Sequence, residues 1–114
     1  MLIGELSRHT GVSTRLLRYY EEQGLLEAAR GPNGYRTYSD DAVTTVRQVR
    51  ALLGAGLSTD VIREILPCAR GELPEFDWCV DVRAILDREL AAADVRIEDL
   101  RRGREALAGY LPSP

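Results

Sequence analysis

Residues 3–26 read IGELSRHTGVSTRLLRYYEEQGLL, and this stretch decides the fold. Ile3 and Leu6 share one face of a short helix that ends at Gly11, a residue able to take the left-handed conformation a helix C-terminus favours. Ser13 is placed to cap a second helix, TRLLRYYEEQ, which Gly24 stops. Two short helices around a glycine turn have helix-turn-helix spacing. Leu16, Leu17 and Tyr20 are expected to pack inward. Arg15, Arg18 and Tyr19 then face outward from the first turns, where a recognition helix reads base edges.

Working outward, Pro32-Asn33-Gly34 is a turn signal, and Asn-Gly favours a tight hairpin. The alternation in Tyr35-Arg36-Thr37-Tyr38 predicts a short strand, giving a wing with a basic, aromatic tip. Ser39-Asp40-Asp41 is expected to cap a third helix whose apolar face is Val43, Val46, Val49 and Leu53. Ser58 caps a fourth, which Pro67 ends. Residues 1–66 thus form a winged helix-turn-helix domain, and residues 67–79, with two prolines and no periodicity, a connector. Residues 80–111 carry one long helical pattern in which Leu86, Leu90, Ala93, Ile97, Leu100, Arg104, Leu107 and Leu111 alternate four and three apart. That is a heptad seam broken only at Arg104. It is too long to be covered by the preceding 66 residues, so a homodimer through this helix is expected. The fold class is mostly α, with one small β-hairpin.

The chain of 114 residues carries a net charge of −3, which is unusual for a phosphate binder. Its distribution reverses that reading. Residues 8–36 hold five Arg against three Glu, whereas residues 67–114 hold seven Arg against ten acids. There is no lysine, so every cationic side-chain contact beyond the lone His9 falls to Arg, whose planar fork matches phosphate and guanine edges. No apolar run approaches a membrane span and no signal peptide is visible, so a cytoplasmic protein is expected, nucleoid-associated when on DNA. No glycine-rich phosphate loop, nucleophile–histidine pairing or ligand cluster points to an enzyme. His9 reads as a surface residue.

The segment from Leu2 to Leu26, then Gly31 to Val43 (GPNGYRTYSDDAV), then the helix pair ending Leu66-Pro67-Cys68, resembles the bacterial MerR family. The resemblance implies an antiparallel coiled-coil dimer and a pseudo-palindromic promoter operator that the dimer bends and untwists, with RNA polymerase as a further partner. It places Thr14, Arg15, Arg18 and Tyr19 on DNA from the recognition helix. Arg36 and Tyr38 grip the backbone from the wing, and Asn33, Gly34 and Tyr35 set its tip. Arg36 can also pair with Glu21 or Glu22, which otherwise form a solvated face.

By the same resemblance Cys79 matches the first ligand of mercury sensors, which use a cysteine at the start of the dimer helix and two more beyond its far end. The sequence here closes on Tyr110-Leu111-Pro112-Ser113-Pro114, so a short form without an effector domain is expected. Cys68 and Cys79 stay open between buried structural thiols, a redox pair and a two-thiolate soft-metal site; no cofactor is assigned. Phe76 and Trp78 suit a hydrophobic plug better than a ligand pocket. An architectural DNA-coating protein and a heterodimerising subunit are the competing functions.

Overall fold

A computed structural model of the chain describes residues 1–72, 74–77 and 80–113, the side chain of Val80 excepted. The described residues divide into two compact units, Met1–Trp78 and Cys79–Pro114, and residues 67–78 of the expected connector fall within the bounds of the first.

The first unit opens with α1 (Ile3–Thr10) and α2 (Thr14–Glu22). Gly11 ends α1 at φ 72° and donates its N–H to the Ser7 carbonyl. The Ser7 hydroxyl donates to the Val12 carbonyl at 2.6 Å, which fixes the turn. Ser13 then accepts the Leu16 N–H at 3.2 Å, the expected N-cap. Leu17 and Tyr20, three apart, are the buried residues of α2. Leu16 was expected beside them, yet it is 45% exposed. Successive residues turn by about 100° on a helix, so Leu16 lies on the flank once Leu17 and Tyr20 set the inward direction.

The wing pairs β1 (Ala29–Arg30) with β2 (Arg36–Thr37), antiparallel, with Arg30 opposite Arg36. Its loop is wider than the expected tight turn. The Gly34 N–H donates to the Gly31 carbonyl, and the Gly31 N–H donates to the Tyr35 carbonyl. The loop is therefore built on a four-residue turn, with Gly34 at φ 77°. Tyr35 and Tyr38 fall outside the strand.

Next come α3 (Asp41–Gly54) and α4 (Thr59–Ile65). Asp40 makes no side-chain capping bond to α3; backbone bonds from Ala42 to Ser39 and from Val43 to Asp40 start the helix instead. Its buried stripe is Ala42, Val46, Val49 and Leu52, while Val43 and Leu53 are half-buried. Ser58 caps α4 as expected, accepting the Val61 N–H. Arg63 of α4 reaches back to the end of α2, where its Nε donates to the Gln23 carbonyl at 2.6 Å. Leu6, Val12, Leu17, Val46, Val49, Ile62 and Ile65 form the fully buried centre.

The connector holds structure that short, aperiodic sequence did not announce. A 3-10 turn (Leu66–Cys68) leads into a second hairpin, β3 (Ala69–Arg70) against β4 (Glu75–Phe76). The Gly71 carbonyl accepts from the buried Gln48 at 3.1 Å, and Arg47 pairs with Glu72, so α3 holds the hairpin turn on two residues.

The second unit is α5 (Val80–Tyr110), 31 residues and about 46 Å long at 1.5 Å per residue. Leu111 lies just beyond its last turn. Leu90, Ile97, Leu100, Leu107 and Leu111 are all exposed, and Leu86 and Ala93 are half-buried. No helix among the described residues is long and apolar enough to cross a membrane.

Candidate nucleic-acid interface

The helix-turn-helix and the wing meet at one carboxylate. Glu21, in the last turn of α2, accepts the Tyr38 hydroxyl on Oε1 at 2.7 Å and pairs through Oε2 with Arg36 Nη1 at 2.9 Å. Glu21 is mostly shielded, with 19% of its side chain exposed, while 47% of Arg36 is exposed. Glu22 next to it is exposed. The expected solvated acidic face is therefore one bridging acid and one solvated one. Sequence spacing offered Glu21 and Glu22 equally as partners of Arg36; the helical rotation that carries Tyr20 into the core decides for Glu21.

Tyr38 corrects an expectation. It was placed on the DNA backbone, but its side chain is 3% exposed and its hydroxyl is committed to Glu21. Its N–H also donates to the Met1 carbonyl at 2.7 Å. Tyr38 anchors the wing from inside the domain. Burial, then the hydrogen bond to Glu21 and that residue's negative charge, push its phenol up to about 12 against the opposing pull of Arg36 and Arg18. The protonated phenol is thus the form that suits the fold. Its stabilising effect is complete below the unfolded value near 10 and is lost as pH rises from about 10 to 12. Tyr38→Phe is expected to cost about 1.5–3 kcal/mol near neutral pH, the range for a hydrogen bond to a charged group. The gap between wild type and variant should shrink on the alkaline side. Urea unfolding across that range checks it; a gap independent of pH would show that the phenol keeps an ordinary affinity for its proton.

Arg15, Arg18 and Tyr19 are exposed on α2, with Thr14 half-buried beside them. Among the described residues neither Arg15 nor Arg18 has an ion-pair partner. Asn33, Gly34 and Tyr35 are exposed at the wing tip, Tyr35 by 67%. A cleft of about 330 Å³ has Arg18 of α2, Leu2 and Ile3, and Tyr35, Arg36 and Tyr38 among its lining residues. The expected contact residues other than Tyr38 therefore present themselves from two adjoining elements. The Arg36 guanidinium has five N–H donors. Its ion pair with Glu21 engages Nη1, which leaves donors for a phosphate.

The thiols divide differently. Cys68 is half-buried at the end of the 3-10 turn, and its carbonyl accepts the Asp77 N–H at 3.0 Å. Cys79 and Trp78 lie outside the described residues, and Phe76 is half-buried on β4. Among the described residues no group of three His, Cys, Asp or Glu side chains could hold a metal ion. His9 is exposed, as expected, and its carbonyl accepts from Arg47.

Residues 1–68 match the family described as MerR HTH family regulatory protein. The chain is 37% identical to the heavy metal-dependent transcription regulator 2 of Rhizobium meliloti (strain 1021), over 96% of this chain and 76% of that one. It is 29% identical to the HTH-type transcriptional regulator ZntR of Escherichia coli (strain K12), over 92% of this chain and 74% of that one. Among solved structures it is similar to the transcription regulator PbrR691 of Ralstonia metallidurans CH34 in complex with lead(II), with a TM-score of 0.79 and 26% identity over 96% of this chain and 84% of that one. With its helix-turn-helix, its wing and these relatives, the chain belongs to the MerR family of winged helix-turn-helix transcription regulators and is a DNA-binding regulator, not an enzyme.

Proposed function

We propose that the protein binds a pseudo-palindromic promoter operator as a homodimer and distorts it, so that promoter use by RNA polymerase follows a signal. The observation that carries this reading is the junction at Glu21, which ties the recognition helix to the wing while Arg18 and Arg36 line one cleft. Two elements braced together contact base edges and backbone at once, and phosphate contacts orient the helix that reads sequence. The long apolar seam of α5 supports two such units held at one spacing, which suits discrete half-sites rather than uniform coating. A bound DNA that is bent or untwisted adds readout through its deformability.

Arg18 is the proposed base reader. Arg18→Ala is expected to cost roughly 1–3 kcal/mol of operator binding and to relax preference at one position per half-site. An unchanged consensus in a binding-site selection would remove it from that role. Arg36 is the proposed phosphate contact. Arg36→Ala is expected to weaken all sequences alike and to flatten the salt dependence by about one ion per protomer. A slope equal to wild type would assign Arg36 to bracing alone.

The relatives' names favour a heavy-metal signal over the thiol-redox and small-molecule alternatives. Among the described residues no three His, Cys, Asp or Glu side chains assemble a metal site. A DNase I footprint on the protein's own upstream DNA tests the whole reading. One protected patch with hypersensitive central bases supports it, and diffuse protection counts against it. Repeating the footprint with a soft divalent metal, and separately with a thiol oxidant, distinguishes the signal classes.

A further inference from the structure

We infer that Arg104 and Asp94 form a lock that sets the register and the choice of partner when two copies of α5 pair. This rests on the proposed dimer and concerns how its two helices align. Arg104 is the one charged residue in the apolar seam, and a charge there costs stability unless the partner answers it. The ion pairs within α5 are Arg83–Asp87, Arg101–Glu98 and Arg102–Glu98. Glu98 is thus engaged by its own helix, and among the described residues neither Arg104 nor Asp94 has an ion-pair partner. The two cannot satisfy each other within one chain, because ten residues of helix separate them by about 15 Å.

Two antiparallel copies resolve this in one alignment. With Ile97 set against the partner's Leu100, the spacing stacks Leu90 on the partner's Leu107 and Leu86 on the partner's Leu111. Arg104 then meets the partner's Ala93, the smallest residue of the seam. A slide of one heptad either way would put Arg104 against the partner's Leu86 or the partner's Leu100, large apolar residues that leave a charge no room. In the favoured register the partner's Asp94 flanks the seam within one residue of Arg104's level, about 1.5 Å along the axis. Arg101, one turn earlier on the same flank, approaches the same carboxylate. The twofold symmetry makes the contact twice.

The charge distribution selects the direction. Residues 80–94 carry four acids and two Arg, while residues 95–110 carry four Arg and three acids. Halves of opposite net sign face each other only when the helices run antiparallel. A parallel, in-register pair would set Arg104 against the partner's Arg104. The same lock discriminates between partners: a related long helix with no acid at this level would leave Arg104 unanswered, a penalty against mixed dimers.

The test uses the full chain in sedimentation equilibrium. Arg104→Glu and Asp94→Arg are each expected to raise the dimer dissociation constant by at least about tenfold, since each creates two like-charge contacts. The double variant carrying both changes is expected to return to within about threefold of wild type, because each contact is then an ion pair with its sense reversed. Circular dichroism checks that α5 is retained, and the double variant remains the readout if a single variant loses helix. Either single variant as dimeric as wild type overturns the lock, as does a double variant no better than the weaker single one. A wild type that is monomeric at the same concentrations would overturn the dimer itself; a dimeric wild type without recovery in the double variant would overturn the lock alone.

Discussion

A Leu100→Asp variant is expected to sediment as a monomer and to lose roughly 10²–10⁴-fold in operator affinity. Leu100 is 74% exposed in the single chain and sits at the middle of the seam, beside Ile97. Pairing would bury it in both copies, so the substitution places two carboxylates where two apolar side chains belong. An ionised carboxylate in such a place has no partner and a large desolvation cost. The affinity follows from linkage. In a dimer the second half-site is engaged at the effective concentration set by the first, and a monomer forfeits that gain. The first unit, Met1–Trp78, has its own buried centre, so its helices should persist by circular dichroism while the footprint disappears. Full operator affinity in a demonstrably monomeric variant would sink the two-site reading.

The second large effect concerns the recognition helix itself. Leu17 is fully buried on α2, next to the exposed Arg18. Leu17→Ala removes apolar atoms from a close-packed centre and leaves a cavity, which costs about 2–5 kcal/mol. A domain's whole margin is roughly 5–15 kcal/mol. The thermal midpoint of the first unit should fall by at least about 10 °C. DNA binding should be retained at low temperature and lost on warming, because no contacting group has been removed. A cold-insensitive loss of binding, with the midpoint unchanged, would mean that Leu17 touches DNA rather than the core.

Much of this architecture was legible from local chemistry. The caps at Ser13 and Ser58 and the left-handed turn at Gly11 are short-range features, and the structure shows all three. The face of a helix is harder to read. Leu16 and Leu17 are identical in type, and only the rotation that buries Tyr20 decides which of them is covered. Val43 and Leu53 lost their places in the same way to Ala42 and Leu52, each a single residue away. The second hairpin was invisible because its strands are two residues each, too short for alternation, and because Gln48 and Arg47 of α3 supply the contacts that hold its turn. In the candidate interface the exposed set on α2 followed from periodicity. The part of Tyr38 did not: a tyrosine in a basic wing invites a phosphate, and only its buried ring and the Glu21 bond reveal an internal anchor.

Along α2, the residues that support the fold and those proposed to contact DNA are different ones. Leu17 and Tyr20 hold the helix to the core, and Glu21 holds it to the wing. Arg15, Arg18 and Tyr19 point outward, and among the described residues Arg15 and Arg18 have no ion-pair partner. A library randomised at positions 15, 18 and 19 can therefore explore new operators at little cost in folding, because surface substitutions away from such supports usually move stability by no more than about 0.5 kcal/mol. Glu21, Arg36 and Tyr38 behave oppositely. They share one carboxylate and would have to change as a set, which makes this junction far less open to randomisation than the outward face of α2.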